Sequence, residues 1–444
     1  MDNTLDHIDQ ASFLGLRALG HGPVIQFTWI YGHSVDLDAL RRFHRNLGRG
    51  LLGRRIERSP LPFGRHRWIA WPGPADLAIA ATTVPRDQVY RWFDDQSALP
   101  IDPEYGPPWR LAVQPIAEGG AAVSLVLSHT IADGVGATLA VVDAAEGVDR
   151  DLGYPAAARP AKIPALLADS RQIIREIPAM VKAAVALARL ARSRRDQLAS
   201  SARTTKAARV TAGRADAEPV RLAMITVYAP APEWDSRAAE LGGTPTSLFI
   251  GLTCRLGGRL GWTDADGRVG ITVPVNERVE GDTRGNALTQ VSMTVDPEQV
   301  CADLSTVRGD LKAALSTLGD ARHEFLTPLP LVPLIPKAVA RRLEGVVIRV
   351  GIIGSSNLGE FEPAANRPDG TDADYFAVRM GEALTRADIR RTGGSFFPVV
   401  TGRTNGQIFI SIGYTNADGT TTREQLTEQV RATLADFGLD ARIE

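Results

Sequence analysis

The sequence predicts an α/β chain built as two halves, and three observations predict it. The chain has 444 residues, more than one ordinary core holds, so two domains are expected. Short apolar runs alternate with segments of helical spacing, the pattern of a sheet covered by helices. Between the two halves, over 156–214, the composition shifts to Ala and Arg. Hydrophobic residues make up 44% and charged residues 23%, an ordinary globular balance.

In the first half, Val24, Ile25, Phe27, Trp29 and Tyr31 mark a strand over 23–31. Asp36 is a fitting N-cap for a helix on which Leu37, Leu40, Phe43 or His44, Leu47 and Leu51 recur at helical spacing. Arg41, Arg45 and Arg49 form its solvated side. Further strands are expected at 68–71 and 77–83, another after Pro107-Pro108-Trp109-Arg110, and a buried one over 122–127. A helix over 134–145 follows, with Val135, Leu139 and Val142 on one side.

The middle segment is helical in pattern over 163–191, with Pro178 as an expected break or kink. Its part over 180–195 is apolar on one side and carries Lys182, Arg189, Arg192, Arg194 and Arg195. A basic amphipathic helix of this kind either packs on its own domain or lies on an anionic membrane surface. An exposed connector is expected over 200–217. In the second half, strands are expected at 220–228, 268–275, 292–295, 346–353, 375–378 and 408–414. Thr244 and Pro245 begin a helix continuing over 247–260. The last helix has Thr421 and Glu424 as a capping box, an inner face of Leu426, Val430, Leu434 and Phe437, and Gly438 after its end. Segments 392–395 and 401–406 read as loops.

Charge and cysteine content narrow the function. A formal net charge of −1 does not supply the bulk cationic field of a nucleic-acid binder, so no nucleic-acid partner is expected. Cys254 and Cys301 form neither a C-x-x-C pair nor a His-rich cluster, so no metal site is expected. Residues 1–7 lack the basic and apolar regions of a signal peptide. No apolar run reaches the roughly 18 residues of a membrane span. A cytoplasmic chain is therefore expected, with peripheral membrane contact through 180–195 as the one route to a bilayer.

Chemistry concentrates at Ser128-His129-Thr130-Ile131-Ala132-Asp133-Gly134. An apolar strand ends on His129, whose neutral imidazole can take a proton from a hydroxyl or amine near neutral pH. Asp133 can orient His129 or pair with a distant arginine, and spacing does not choose. Gly134 permits a close backbone approach.

His-x-x-x-Asp-Gly after a buried strand resembles the active-site motif of the condensation-domain and chloramphenicol-acetyltransferase-like superfamily. Three more segments resemble, in order, those of bacterial wax ester synthase/diacylglycerol acyltransferase enzymes. They are Pro107-Pro108-Trp109-Arg110, Pro274-Val275-Asn276-Glu277-Arg278 followed by Gly285-Asn286, and Ser356-Asn357-Leu358-Gly359. One departure is plain: most members carry two adjacent histidines, and Ser128 stands in place of the first.

The resemblance implies an α/β (α+β) fold of two chloramphenicol-acetyltransferase-like subdomains. Each is a mixed sheet with flanking helices, and an active-site tunnel lies between them. The N-terminal subdomain is 1–160, a helical crossover 161–217 and the C-terminal subdomain 218–444. His129 would be the general base. Asp133 would be structural, paired with Arg278. Gly134, Ser356 and Asn357 would bind substrate or the oxyanion. The implied activity is acyl transfer from a thioester to a hydroxyl without a covalent intermediate. The alternatives are an amide-forming condensation enzyme on carrier-bound substrates and a non-catalytic lipid- or carrier-binding relative. No permanently bound cofactor is implied. Acyl-CoA or a phosphopantetheine-linked acyl donor is the co-substrate, an acyl carrier protein is a candidate partner, and a monomer is expected.

Overall fold

The computed structural model describes residues 3–71, 73–74, 76–156, 162–193, 218–341, 352–391, 396–416 and 418–444. The chain opens with helix α1 (His7–Leu19), begun by Asp6, whose carboxylate accepts from the Ile8 N–H, and ended at Gly20 in the left-handed region. Strand β1 (Pro23–Tyr31) and helix α2 (Leu37–Leu47) follow, the latter capped by Asp36 through the N–H groups of Asp38 and Ala39. Next come β2 (Arg54–Glu57), β3 (Arg67–Ala70), β4 (Ala78–Ile79) and α3 (Val89–Ser97). Strands β5 (Trp109–Pro115) and β6 (Ala121–Ser128) then lead into α4 (Gly134–Glu146). Helix α5 (Lys162–Ser193) crosses to the second half.

There the order is β7 (Pro219–Val220), β8 (Ala223–Pro230), α6 (Ala231–Glu240), α7 (Pro245–Arg259), β9 (Val269–Asn276) and β10 (Leu288–Val295). Helices α8 (Ser305–Ser316) and α9 (Leu318–Leu326) precede β11 (Ile352–Glu360), β12 (Tyr375–Glu382), β13 (Leu384–Thr385) and α10 (Arg386–Arg391). The hairpin β14 (Pro398–Thr404) and β15 (Gln407–Tyr414), helix α11 (Arg423–Asp436) and β16 (Arg442–Ile443) complete the chain.

Two mixed sheets result. One has the order β12-β1-β6-β5-β4 and the other β10-β9-β11-β14-β15-β8-β16. Strand β6 lies between β1 and β5, and all eight of its residues are buried, which is why it is apolar throughout rather than alternating. Strand β12 comes from the second half of the sequence yet closes the first sheet, antiparallel to β1 from Pro23↔Glu382 to Ile30↔Tyr375. Its Phe376 packs against Trp29 and Phe27 on one side and Phe361 and Phe409 on the other, so one aromatic cluster ties the two sheets together.

Several elements differ from the sequence reading. The strand at 77–83 shrinks to the exposed pair Ala78–Ile79. Helix α5 continues through Pro178, with Ile177 and Pro178 on its exposed side. Strand β11 runs on through Ser356 to Gly359, past the expected end at 353, and 346–351 lies outside the described residues. Residues 401–404 belong to β14, and Asn405-Gly406, both at positive φ, form the hairpin turn. The last helix is capped by Thr422 with Gln425, one residue beyond the expected box. Segments 194–217 and 392–395, with the side chains of Arg189 and Arg192, also lie outside the described residues. No described helix is long and apolar enough to cross a membrane.

Candidate active site

β6 delivers His129 to the junction of the two halves. The His129 N–H donates to Pro23 O (3.0 Å), continuing the β1 ladder one residue past the strand. Ser128 is buried, and its hydroxyl accepts from the Thr130 N–H (3.3 Å). It therefore shapes the turn and is not among the residues lining the cavity beside His129. Ile131 and Ala132, fully buried, anchor the loop.

The loop is held by a charged clamp between the halves. Asp133 Oδ1 accepts from the Gly136 N–H (2.6 Å), capping α4. Its Oδ2 accepts from Arg278 Nη2 (2.9 Å) and from the Ala287 N–H (2.7 Å). Both side chains are under 5% exposed, at 3% for Arg278 and 4% for Asp133. Arg278 also donates to three carbonyls, from Nη1 to Asp282 and Arg284 and from Nη2 to Gly285. Asp133 has no bond to His129, so of the two roles left open by spacing this geometry carries the arginine pairing. A Cβ at Gly136 would lie 2.8 Å from Arg278 Nη2, so a larger residue there would have to push the guanidinium aside.

A second network reaches the imidazole itself. His129 Nδ1 lies 3.0 Å from Asn286 Oδ1. Asn286 Nδ2 donates to Asp9 Oδ1 (3.0 Å), which also accepts from the Asn286 N–H (2.7 Å), while Asp9 Oδ2 accepts from the Gly285 N–H (2.8 Å). Asp9 is fully buried on α1. Burial pushes its carboxyl up to about 6, with Arg54 and these donors pulling it back. Arg54, also fully buried, donates to Ile131 O (2.9 Å) and stacks over Trp68.

These networks border a cavity of about 100 Å³ that opens to solvent. Ile25, Leu288, Leu358, Val378, Met380 and Val400 form its apolar walls, and His129, Asp133, Gly134, Ser356 and Asn357 also line it. The cavity thus brings together all the candidate site residues except Arg278, which stands behind Asp133. Gly134 and Val135 open α4 and face the cavity, so N–H groups without intrahelical partners and the positive helix end meet it. The side chain of Leu358 packs directly on Gly134, where a Cβ would lie 2.6 Å from Leu358 Cδ2. Asn357 turns its amide elsewhere, Nδ2 to Thr246 Oγ1 (3.2 Å) and Oδ1 to the Gly359 N–H (2.9 Å). Among the described residues no group of three His, Cys, Asp or Glu is placed to hold a metal.

Sequence reasoning missed Asp9 and left Asn286 without a role. The signals were present: Asp6 as an N-cap ahead of Ile8 and Phe13 marks α1, and Asn286 lies in the Gly285-Asn286 pair.

No protein-family model and no curated protein matches the chain. Solved structures do. The first condensation domain of the calcium-dependent antibiotic synthetase aligns over 98% of this chain and 96% of its own, at 15% identity and a TM-score of 0.60. A double mutant of the starter condensation domain of rhizomide synthetase aligns over 98% of this chain and 93% of its own, at 14% identity and a TM-score of 0.53. Polyketide synthase associated protein 5 from Mycobacterium tuberculosis aligns over 97% of each chain, at 14% identity and 0.52. At these identities the likeness is one of fold: two sheet-containing halves, arranged as in condensation domains.

Proposed function

We propose that the chain is a transferase that moves an acyl group from a carrier-bound thioester to an amine, with His129 as general base. One observation carries the reading: His129 stands on the cavity wall at the junction of the halves with Nδ1 taken by Asn286. Nε2 is then the nitrogen left for chemistry. The amine attacks the thioester carbonyl as Nε2 accepts its proton. The C–N bond forms, the C–S bond breaks, and the departing thiolate takes the proton from Nε2. No acyl-enzyme is required, because both substrates meet in one cavity and positioning supplies much of the rate. Gly134 and Val135 at the start of α4 are the donors favoured for the oxyanion. Asn357, engaged by Thr246 and Gly359, contributes at most after turning. Asp133 and Arg278 hold the loop.

The shared fold of condensation domains favours the carrier-bound, amide-forming version over a coenzyme A-dependent ester synthesis. A hydroxyl acceptor is the second reading, and the wax ester synthase-like segments at Pro107–Arg110, Pro274–Arg278 and Ser356–Gly359 favour it. Incubation with acyl-phosphopantetheinyl carrier protein and with acyl-CoA, each against amines and alcohols, separates the two by product mass. An amide from the carrier-bound donor is expected. An ester formed only from acyl-CoA would overturn the first reading in favour of the second.

A further inference from the structure

We infer that Asp9 is a positioning residue for the transfer: through Asn286 it holds His129 as the tautomer protonated on Nδ1, with a bare lone pair on Nε2. The inference rests on the His129 reading above.

It follows from donor and acceptor chemistry along the chain Asp9–Asn286–His129. An ionised carboxylate only accepts. Three donors converge on Asp9, namely the Gly285 N–H, the Asn286 N–H and one Asn286 side-chain atom. That side-chain atom must therefore be Nδ2. Its partner on the same amide, Oδ1, then faces His129 and can only accept. The proton of a neutral imidazole is drawn to Nδ1, where it donates to Oδ1. Asn286 is 4% exposed, so water does not compete for its amide. With Nδ1 protonated, Nε2 is the acceptor that a general base needs.

The turn is shaped for this approach. A Cβ at Gly285 would lie 2.9 Å from Asp9 Oδ1 and 3.1 Å from Ile131 O. The surrounding charges are Arg54 from β2 and the Asp133–Arg278 pair. A simple tie between α1 and the β9–β10 connection would need only the two backbone N–H groups. The third bond, to the Asn286 side chain, is the one that reaches His129.

Asp9→Asn tests the relay with little change of shape. An amide at residue 9 presents a donor on one side. When that donor faces Asn286, the Asn286 amide turns over and offers Nδ2 to His129, which then carries its proton on Nε2. [15N]histidine-labelled full-length protein is observed by NMR at pH 8, with His129 assigned by its loss in His129→Gln. The wild type is expected to show Nδ1 protonated and Nε2 bare. Asp9→Asn and Asn286→Ala are expected to shift His129 toward the Nε2–H form and to lower kcat about 10²-fold, with KM changed less. Asn286→Ala also covers the case in which Asp9→Asn fails to fold. Folded variants with the wild-type tautomer and kcat would overturn the inference. The tautomer is read without substrate. Loss of the wild-type signature in these variants alongside full turnover by His129→Gln would refute the general-base reading while leaving the relay standing.

Discussion

Asp133→Ala tests the clamp that holds the His129 loop. The substitution removes the partner of Arg278, the cap on Gly136 and the acceptor for Ala287. Removing one member of a buried ion pair costs about 3–5 kcal/mol. A buried N–H left without a partner costs about 1–3 kcal/mol. These contributions share one carboxylate and do not add fully. Arg278 also keeps three carbonyl partners, which softens its loss. About 3–5 kcal/mol is thus the expected total. The assay is amide hydrogen exchange at residues 133 and 287, whose N–H groups bond Gly285 O and the Asp133 carboxylate in the wild type. At about 1.4 kcal/mol per factor of ten, exchange should speed by about 10²–10⁴-fold. Asp133→Asn should fall between, because an amide can accept on one side only. A change below tenfold at both residues in Asp133→Ala, together with a large loss of kcat, would refute the clamp and restore a direct chemical role for Asp133.

Two nearby glycines should respond differently. Gly136→Ala drives a Cβ to 2.8 Å from Arg278 Nη2 and 3.1 Å from Asp133 Oδ1, so a loss of about 1–3 kcal/mol is expected in denaturant titration. Gly134→Ala meets only the end of Leu358; it should leave stability within about 1 kcal/mol and raise KM by moving Leu358 into the cavity. Stability should also carry two opposed pH dependences. Asp9 is raised from 3.8 to about 6 by burial, so the folded state holds its proton longer. Its contribution is present below about pH 4 and lost as pH rises through 6, about 3 kcal/mol over that window. Asp9→Asn should remove that dependence in unfolding midpoints measured from pH 4 to 7. His66, lowered from 6.5 to about 4 by burial and then by Arg58 and Arg67, destabilises the fold as pH falls from 6.5 to 4. His66→Gln should flatten that limb by about 3 kcal/mol.

What the sequence reveals here depends on whether the physics is local. β6 and α4 are legible because an unbroken apolar run and a strand-to-helix change of period are local signals. The Asp36 and Thr244 caps are legible for the same reason. β12 reads as a strand, but its place beside β1 does not, because pairing is chosen by a surface assembled from the far end of the chain. Gly402 and Asn405-Gly406 look like loop residues. The structure uses Gly402 inside β14, where a Cβ would strike Phe361 and Phe409, and Asn405-Gly406 as a tight hairpin. At the site, His129 is legible from its strand end. Its Nδ1 partner is not, because Asn286 and Asp9 lie 157 and 120 residues away in sequence. A buried carboxylate on α1 also looks like any polar residue on a helix.

The central claim is that His129 removes a proton from the nucleophile that takes the acyl group. Its direct test is thiol release from acyl-phosphopantetheinyl carrier protein in the presence of amine, comparing wild type with His129→Ala. The account predicts amine-dependent thiol release and an acyl amide from the wild type, and a fall of about 10²–10⁴-fold in the variant. Equal rates in the two proteins, or no thiol release from any donor by the wild type, would contradict it.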